Sequence, residues 1–327
     1  MPEYGSHPTS YEDLTDESLY EMYRQENFQQ LSESEKQQLM QETVNRDAKM
    51  KGEIGQPEVV VSDLPANTAG ESSDGVIYVS RSLVNGEQKV QSNGQELTHD
   101  ISDNNMQTLN TIFHENRHCY QEQVLDHTIE NDPNYDEFAK NSFDVRTVNL
   151  DGEQQSGLQY MRGENGLDGY FLYSVQPTER DASLSAERHT EDVMRSLEEK
   201  GQTEESFSAY REDIQANGYH AIEAQAQEYF NDPNLTENVD QALSDSYNGT
   251  LSDNPSPTAS AVYGEMSASY ESYVQDLNDA LGLDDTGTDM GSDTGGLNAG
   301  SGSDGGGIID PDDAGGIDPD DDDGLQL

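Results

Sequence analysis

Tryptophan is absent from this chain of 327 residues, and cysteine occurs once. A lone thiol, Cys119, excludes an internal disulfide, so nothing covalent staples the fold. Basic residues are scarce: 16 Lys and Arg stand against 67 Asp and Glu, a formal net charge of −51, and no Lys or Arg follows Arg211. A field of that sign repels nucleic-acid phosphates and anionic membranes, so neither is expected as a partner; it attracts basic proteins or peptides. No apolar run approaches the length of a membrane span. The opening Met-Pro-Glu-Tyr-Gly-Ser carries neither the basic nor the apolar region of a secretory signal. The expected location is therefore the cytoplasm, or a destination reached without a cleavable signal peptide. Lysine, at six copies, is rare enough to suit delivery into a foreign cytosol. Hydrophobic residues make up 31%, thin for one large globule, so part of the chain is expected to stay unpacked.

Four segments are expected. Residues 1–55 form an N-terminal helical segment, loose over the first ten. Its apolar positions are Leu19, Met22 and Tyr23, then Leu39, Met40 and Val44, and Ser32-x-x-Glu35 is a capping box. Residues 56–230 form a core. Within it 57–63 and 75–84 read as strands, the second bounded by Asn85-Gly86. Short strand signals follow at Val145, Val148, Tyr160 and Phe171, with a turn at Asp151-Gly152. Helical pattern resumes at 178–200 and 205–230. Residues 231–283 read as a linker with one weak helix, then a helix at 259–282. Residues 284–327 hold 13 aspartates and no base in a Gly/Asp/Ser run, for which disorder is expected.

The most informative stretch is His114-Glu115-Asn116-Arg117-His118, an HExxH pentapeptide. Met106, Leu109, Ile112, Phe113 and Tyr120 recur at helical spacing around it, predicting a helix over 104–125 with Asp103 as N-cap. Two histidines four apart share a helix face, so both imidazoles can reach one metal ion. Glu115 turns toward the same cleft and can take a proton from water activated there, the metallopeptidase reading of this motif, with zinc (Zn2+) as the expected ion. The bland alternative is a surface helix with two solvated histidines; the flanking Phe113 and Cys119 argue against it. Arg117 sits about 100° from His118 around the helix and can point away.

A catalytic zinc site needs a third protein ligand. A histidine six residues after His118 would supply one, but Val124 stands there, and His127 comes three residues too late. The alternative is a carboxylate. An aromatic, strand-like run ends at Gln176; Pro177 then suits the first turn of a helix, and Glu179 falls in that turn. Asp181 is a rival ligand, or a partner orienting a ligand imidazole through its other nitrogen.

An HExxH helix with Gln121 three residues on, followed some sixty residues later by Tyr-x-x-x-Pro-x-Glu-x-x-Ala, resembles the gluzincin-type zincins. The likeness is closest to the small bacterial metallopeptidase domains also found in polymorphic toxins and mobile-element proteins, and it covers roughly residues 56–230. It implies an α+β zincin-like core, a small mixed sheet plus the HExxH helix and a glutamate-bearing second helix, within a mostly helical chain ending in a disordered acidic tail. It implies His114, His118 and Glu179 as zinc ligands, Glu115 as general base, and hydrolysis of peptide bonds in a protein substrate, as in an effector-type protease. The oxyanion donor is left open among Tyr173, Tyr219 and His220. Two other readings stand beside it: a zincin-fold metal-binding module without turnover, and an acidic binding protein whose HExxH is accidental. The substrate and any immunity or inhibitor protein are not identified by sequence.

Overall fold

A computed structural model describes residues 4–65, 68–86, 90–92, 95–97, 103–144, 148–150, 153–155, 166–247 and 260. The chain is α+β and mostly helical, with one small mixed sheet. Three helices open it: α1 (Asp16–Glu21), α2 (Gln25–Phe28) and α3 (Glu33–Lys51). α3 starts where the capping box predicts. Ser32 Oγ accepts from Glu35 N at 3.4 Å and Glu35 Oε2 accepts from Ser32 N at 2.8 Å, satisfying two groups that a helix start leaves bare. Gly52 ends it at φ +79°, a left-handed cap that side chains resist. The first residues are less loose than expected: Tyr4 reaches Glu122 Oε2 at 2.9 Å, and Gly5 pairs with Gln56.

The sheet combines β1 (Glu58–Ser62), β2 (Gly70–Ser73) and β3 (Val76–Ser80) in the order β1-β3-β2. β1 and β3 are parallel, with Val59 opposite Ile77 and Val61 opposite Val79; β2 lies antiparallel on the edge, with Ser72 opposite Ile77. The expected strand over 75–84 stops at Ser80, and α4 (Arg81–Val84) follows as a single turn. β4 (Val90–Ser92) with β5 (Gln95–Leu97), and β6 (Val148–Leu150) with β7 (Glu153–Gln155), are two-stranded. The turn predicted at Asp151-Gly152 lies outside the described residues.

The central element is α5 (Asn104–Leu125), with the bounds that periodicity predicts. Asp103 occupies its cap position without capping it: the carboxylate instead accepts from Gln107 Nε2 at 3.1 Å. α6 (Tyr135–Asp144) and α7 (Gly166–Val175) lead to α8 (Pro177–Glu199), which opens on Pro177 as expected. α7 overturns the strand-like reading of 168–176 and of Phe171. Aromatic and β-branched residues prefer strands only weakly, and here Phe171, Leu172 and Val175 bury a helical face against Ala226, Val239 and Leu243.

The helix expected over 205–230 is two, α9 (Glu205–Asn217) and α10 (Tyr219–Tyr229), broken at Gly218. A Cβ there would lie 2.6 Å from the Ile214 carbonyl oxygen, so the bend needs glycine. α11 (Leu235–Tyr247) occupies much of the presumed linker, because Leu235, Val239, Ala242 and Leu243 line up to bury one face. The expected helix at 259–282 (Ser260 aside), the tail 284–327 and the strand signals at Val145 and Tyr160 lie outside the described residues.

The main core joins α3, the sheet and α5 to α8 and α9, through Leu39, Val59, Ile77, Leu109, Ile112, Met194 and Phe207 among others. Cys119 is fully buried in it. α5 therefore runs through the interior with most of its girth covered, and only its remaining stripe can face a cleft.

Candidate metal centre

That stripe carries His114 and His118. Their Nε2 atoms lie 3.0 Å apart. The first turn of α8 brings Glu179 onto both: Oε2 is 3.3 Å from His114 Nε2 and Oε1 is 3.4 Å from His118 Nε2. Ligand atoms of the three residues all lie within 4.8 Å of one another. Four-coordinate ions with bonds of about 2.0–2.2 Å hold their ligand atoms about 3.3–3.5 Å apart. The spacing therefore fits one small ion gripped by all three, the His–His pair being slightly close. His127, Asp181 and His220 are outside this group.

Burial and charge act strongly on the group. Burial on its own would lower the His118 pKa, but the Glu179 carboxylate overrides it and pushes it up to about 10. Burial would raise Glu179, yet the facing imidazoles hold it well below the ordinary carboxylate range. Charge attraction and hydrogen bonding between Glu179 and the two imidazoles thus hold the trio together.

Glu115 is 7% exposed and sits beside the trio. Burial raises its pKa, the charge of His114 opposes this, and the Ser72 hydroxyl donates to it. Its position is set by β2. A Cβ on Gly70 would meet Thr111 Cγ2 at 2.6 Å, Glu115 Cγ at 3.0 Å and Glu115 Oε1 at 3.1 Å. The edge strand can press this closely on α5 only because residue 70 has no side chain.

Tyr173, at the end of α7, also reaches the site. Its side chain bonds Glu179, and burial followed by the Glu179 charge drives its pKa well above the ordinary phenol value. The residue is nevertheless 37% exposed, with its hydroxyl engaged by Glu179. The other two oxyanion candidates are not brought to the ligands. Tyr219 is buried with its hydroxyl 3.4 Å from Glu223 Oε1, and His220 is exposed with Nδ1 3.6 Å from Glu223 Oε2.

Sequence reasoning left Arg117, Gln121 and Asp181 without settled roles, and the structure joins them. Arg117 Nε and Nη2 donate to Asp181 Oδ2 and Oδ1 at 2.6 and 3.1 Å, and the guanidinium lies 4.2 Å from the Tyr120 ring centroid. Asp181 is engaged there as an ion-pair partner, and not as a ligand. Gln121 Nε2 donates to Asp181 Oδ2 at 2.8 Å and to the Thr178 carbonyl at 3.0 Å, while Gln121 Oε1 lies 2.9 Å from His118 Nδ1.

Comparison with known proteins found no matching family model, no matching curated protein and no matching solved structure.

Proposed function

We propose that this protein is a zinc-dependent peptidase of the gluzincin type, with His114, His118 and Glu179 holding the ion. The observation that carries the reading is the convergence of Glu179, from a separate helix, on both imidazoles at 3.3 and 3.4 Å. Two histidines and a glutamate are a donor set used for catalytic zinc, and three protein ligands leave a position open. When bound, zinc would supply Lewis acidity, acidifying water and polarising a carbonyl.

The remaining chemistry belongs to the chain. Glu115 removes a proton from the attacking water as its oxygen bonds to the peptide carbon, and passes that proton to the amide nitrogen as the C–N bond breaks. The carboxyl must both accept and give up the proton, and its place beside the three candidate ligands suits that two-way use. Tyr173 is the oxyanion donor we favour; its hydroxyl bonds Glu179 at rest and can turn to the developing charge. β2 is an edge strand directly beside Glu115, so an extended peptide can pair with it and be laid across the site. The acidity of the chain favours basic substrate segments.

Metal analysis of the purified chain tests the reading. Stoichiometric zinc is expected, falling in His114→Ala and Glu179→Ala, together with chelator-sensitive cleavage of casein-like or basic polypeptides. Stoichiometric zinc without cleavage of any such substrate would leave a metal-binding module. A wild-type chain that takes up no zinc would end the metallopeptidase reading.

A further inference from the structure

We propose that Gln121 is the positioning residue of the metal centre, fixing the tautomer of His118 and the seat of Glu179 with one amide. The inference rests on the metal reading above and concerns how this chain holds its ligands.

The assignment follows from which atoms can donate. Asp181 is a carboxylate and Thr178 offers its backbone carbonyl; both accept only. The two groups 2.8 and 3.0 Å from one end of the Gln121 amide therefore require its NH2 there. The carbonyl end must then face His118 Nδ1, 2.9 Å away. An amide oxygen is purely an acceptor, so Nδ1 must carry hydrogen. In the neutral ring, that leaves the lone pair on Nε2, the atom 3.4 Å from Glu179 Oε1 and 3.0 Å from His114 Nε2. The amide thus holds hydrogen on Nδ1, so the proton that a metal displaces is the one at Nε2, and the ring is left in the tautomer a metal needs.

The other end of the same side chain acts on the third ligand. Thr178 is the residue before Glu179, and its carbonyl lies in the first turn of α8. Holding it from α5 ties the helix bearing two ligands to the helix start bearing the third. Asp181 strengthens the tie, since Arg117 fixes the carboxylate with two donors and Gln121 takes its remaining reach. Gln121 is 3% exposed, so water does not compete for these bonds. Arg117, the charged residue inside the HExxH, thereby gains a use: it anchors the acid that orients the amide.

The test measures zinc affinity by competition with a chromophoric chelator in wild type, Gln121→Leu and Gln121→Glu. Leucine fills the space but neither accepts from Nδ1 nor holds Thr178, and zinc binding is expected to weaken about 10- to 100-fold. Glutamate still accepts from Nδ1 but loses the NH2 and faces Asp181, so its affinity should fall between the other two. A role confined to packing would lower the melting temperature of the metal-free variants and leave this order of affinities absent. Nitrogen-15 spectra of the wild-type imidazoles give a readout that needs no variant to fold: His118 should be protonated at Nδ1 and metal-bound at Nε2. Equal zinc affinity in wild type and Gln121→Leu, or metal at His118 Nδ1, would overturn the inference while leaving the metallopeptidase reading standing. A wild-type chain without zinc affinity would overturn both.

Discussion

Two sides of α5 carry polar clusters that are arranged in opposite ways. On the cleft side, His114, His118 and Glu179 aim their electron-pair donors at a common point, and Gln121 and Asp181 hold them there. On the opposite side, Asn116, fully buried, stands between Asp47 and Glu53. Its Nδ2 donates to Asp47 Oδ2 at 2.7 Å and to Glu53 Oε1 at 3.2 Å, while Lys51 closes on the same Asp47 oxygen at 2.5 Å. Lys51 and the Asn116 amide supply the donors here, while Asp47 Oδ1, Glu53 Oε2 and Asn116 Oδ1 have no hydrogen-bond partner among the described residues. The first arrangement gathers lone pairs that a proton or a metal cation can occupy, while the second offsets its charge through Lys51 at Asp47 and through the raised pKa of Glu53. A helix can therefore carry a candidate metal site on one face and a polar weld on the other within a single turn, since Asn116 lies between His114 and His118.

The largest effect expected is on chemistry at the cleft face. Glu115→Gln keeps shape and burial but cannot shuttle a proton. Turnover should drop on the order of 10²- to 10⁴-fold, with zinc content and melting temperature close to wild type. Full activity in this variant would remove Glu115 from the mechanism. Asn116→Leu probes the other face. It leaves two buried carboxylates without their shared donor and should cost about 2–4 kcal/mol in denaturant unfolding. The zinc stoichiometry of the folded fraction should be unchanged. Lost zinc at retained stability would mean the two faces are not separate.

Gly70→Ala tests what joins the sheet to the site. The added methyl would sit 2.6 Å from Thr111 Cγ2 and 3.0 Å from Glu115 Cγ, so β2 or Glu115 must move. Overpacking of this kind costs about 1–3 kcal/mol. The variant should lose activity beyond what its folded fraction explains, because Glu115 is displaced. Wild-type turnover in the variant would show that β2 does not place the carboxylate.

The cleft face was far more legible than the face behind it, for physical reasons. His114 and His118 are fixed on one stripe by helix geometry, and Pro177 marks the helix start that presents Glu179, so local spacing carried most of the site. The long elements α5 and α8 also followed from periodicity. β2 did not, because Gly-Glu-Ser-Ser has no strand propensity and is a strand only through pairing with β3 and contact with α5. α7 was misread because its aromatics pack on helices that lie far along the chain. Asp47 and Glu53 belong to no motif that would single them out in the sequence. Only the fold reveals that they are 3% and 9% exposed. Gln121 was noticed for its place after the motif, but its partners sit 57 and 60 residues away.

The most gradual effect expected is a slope with pH, and it belongs to the face behind the site. Burial pushes the Glu53 carboxyl up to about 8; Lys51 and Asn116 oppose this and Asp47 adds to it. The folded chain then keeps a proton at Glu53 between the ordinary carboxylate range and about pH 8, whereas the unfolded chain has released it. With more protons bound when folded, stability from this group is present at low pH and falls as pH rises through that window, by up to about 1.4 kcal/mol per pH unit, levelling above it. Glu53→Gln mimics the protonated form at every pH. It should match wild type near pH 5 and become the more stable of the two toward pH 8, read as diverging unfolding free energies across a pH series. The direction distinguishes the two faces of α5: a metal site loses its ion as pH falls because its histidines take up protons, so loss of metal would weaken the protein toward acid. Parallel curves for wild type and Glu53→Gln would show that Glu53 ionises freely, and that the weld behind the motif carries a full buried negative charge.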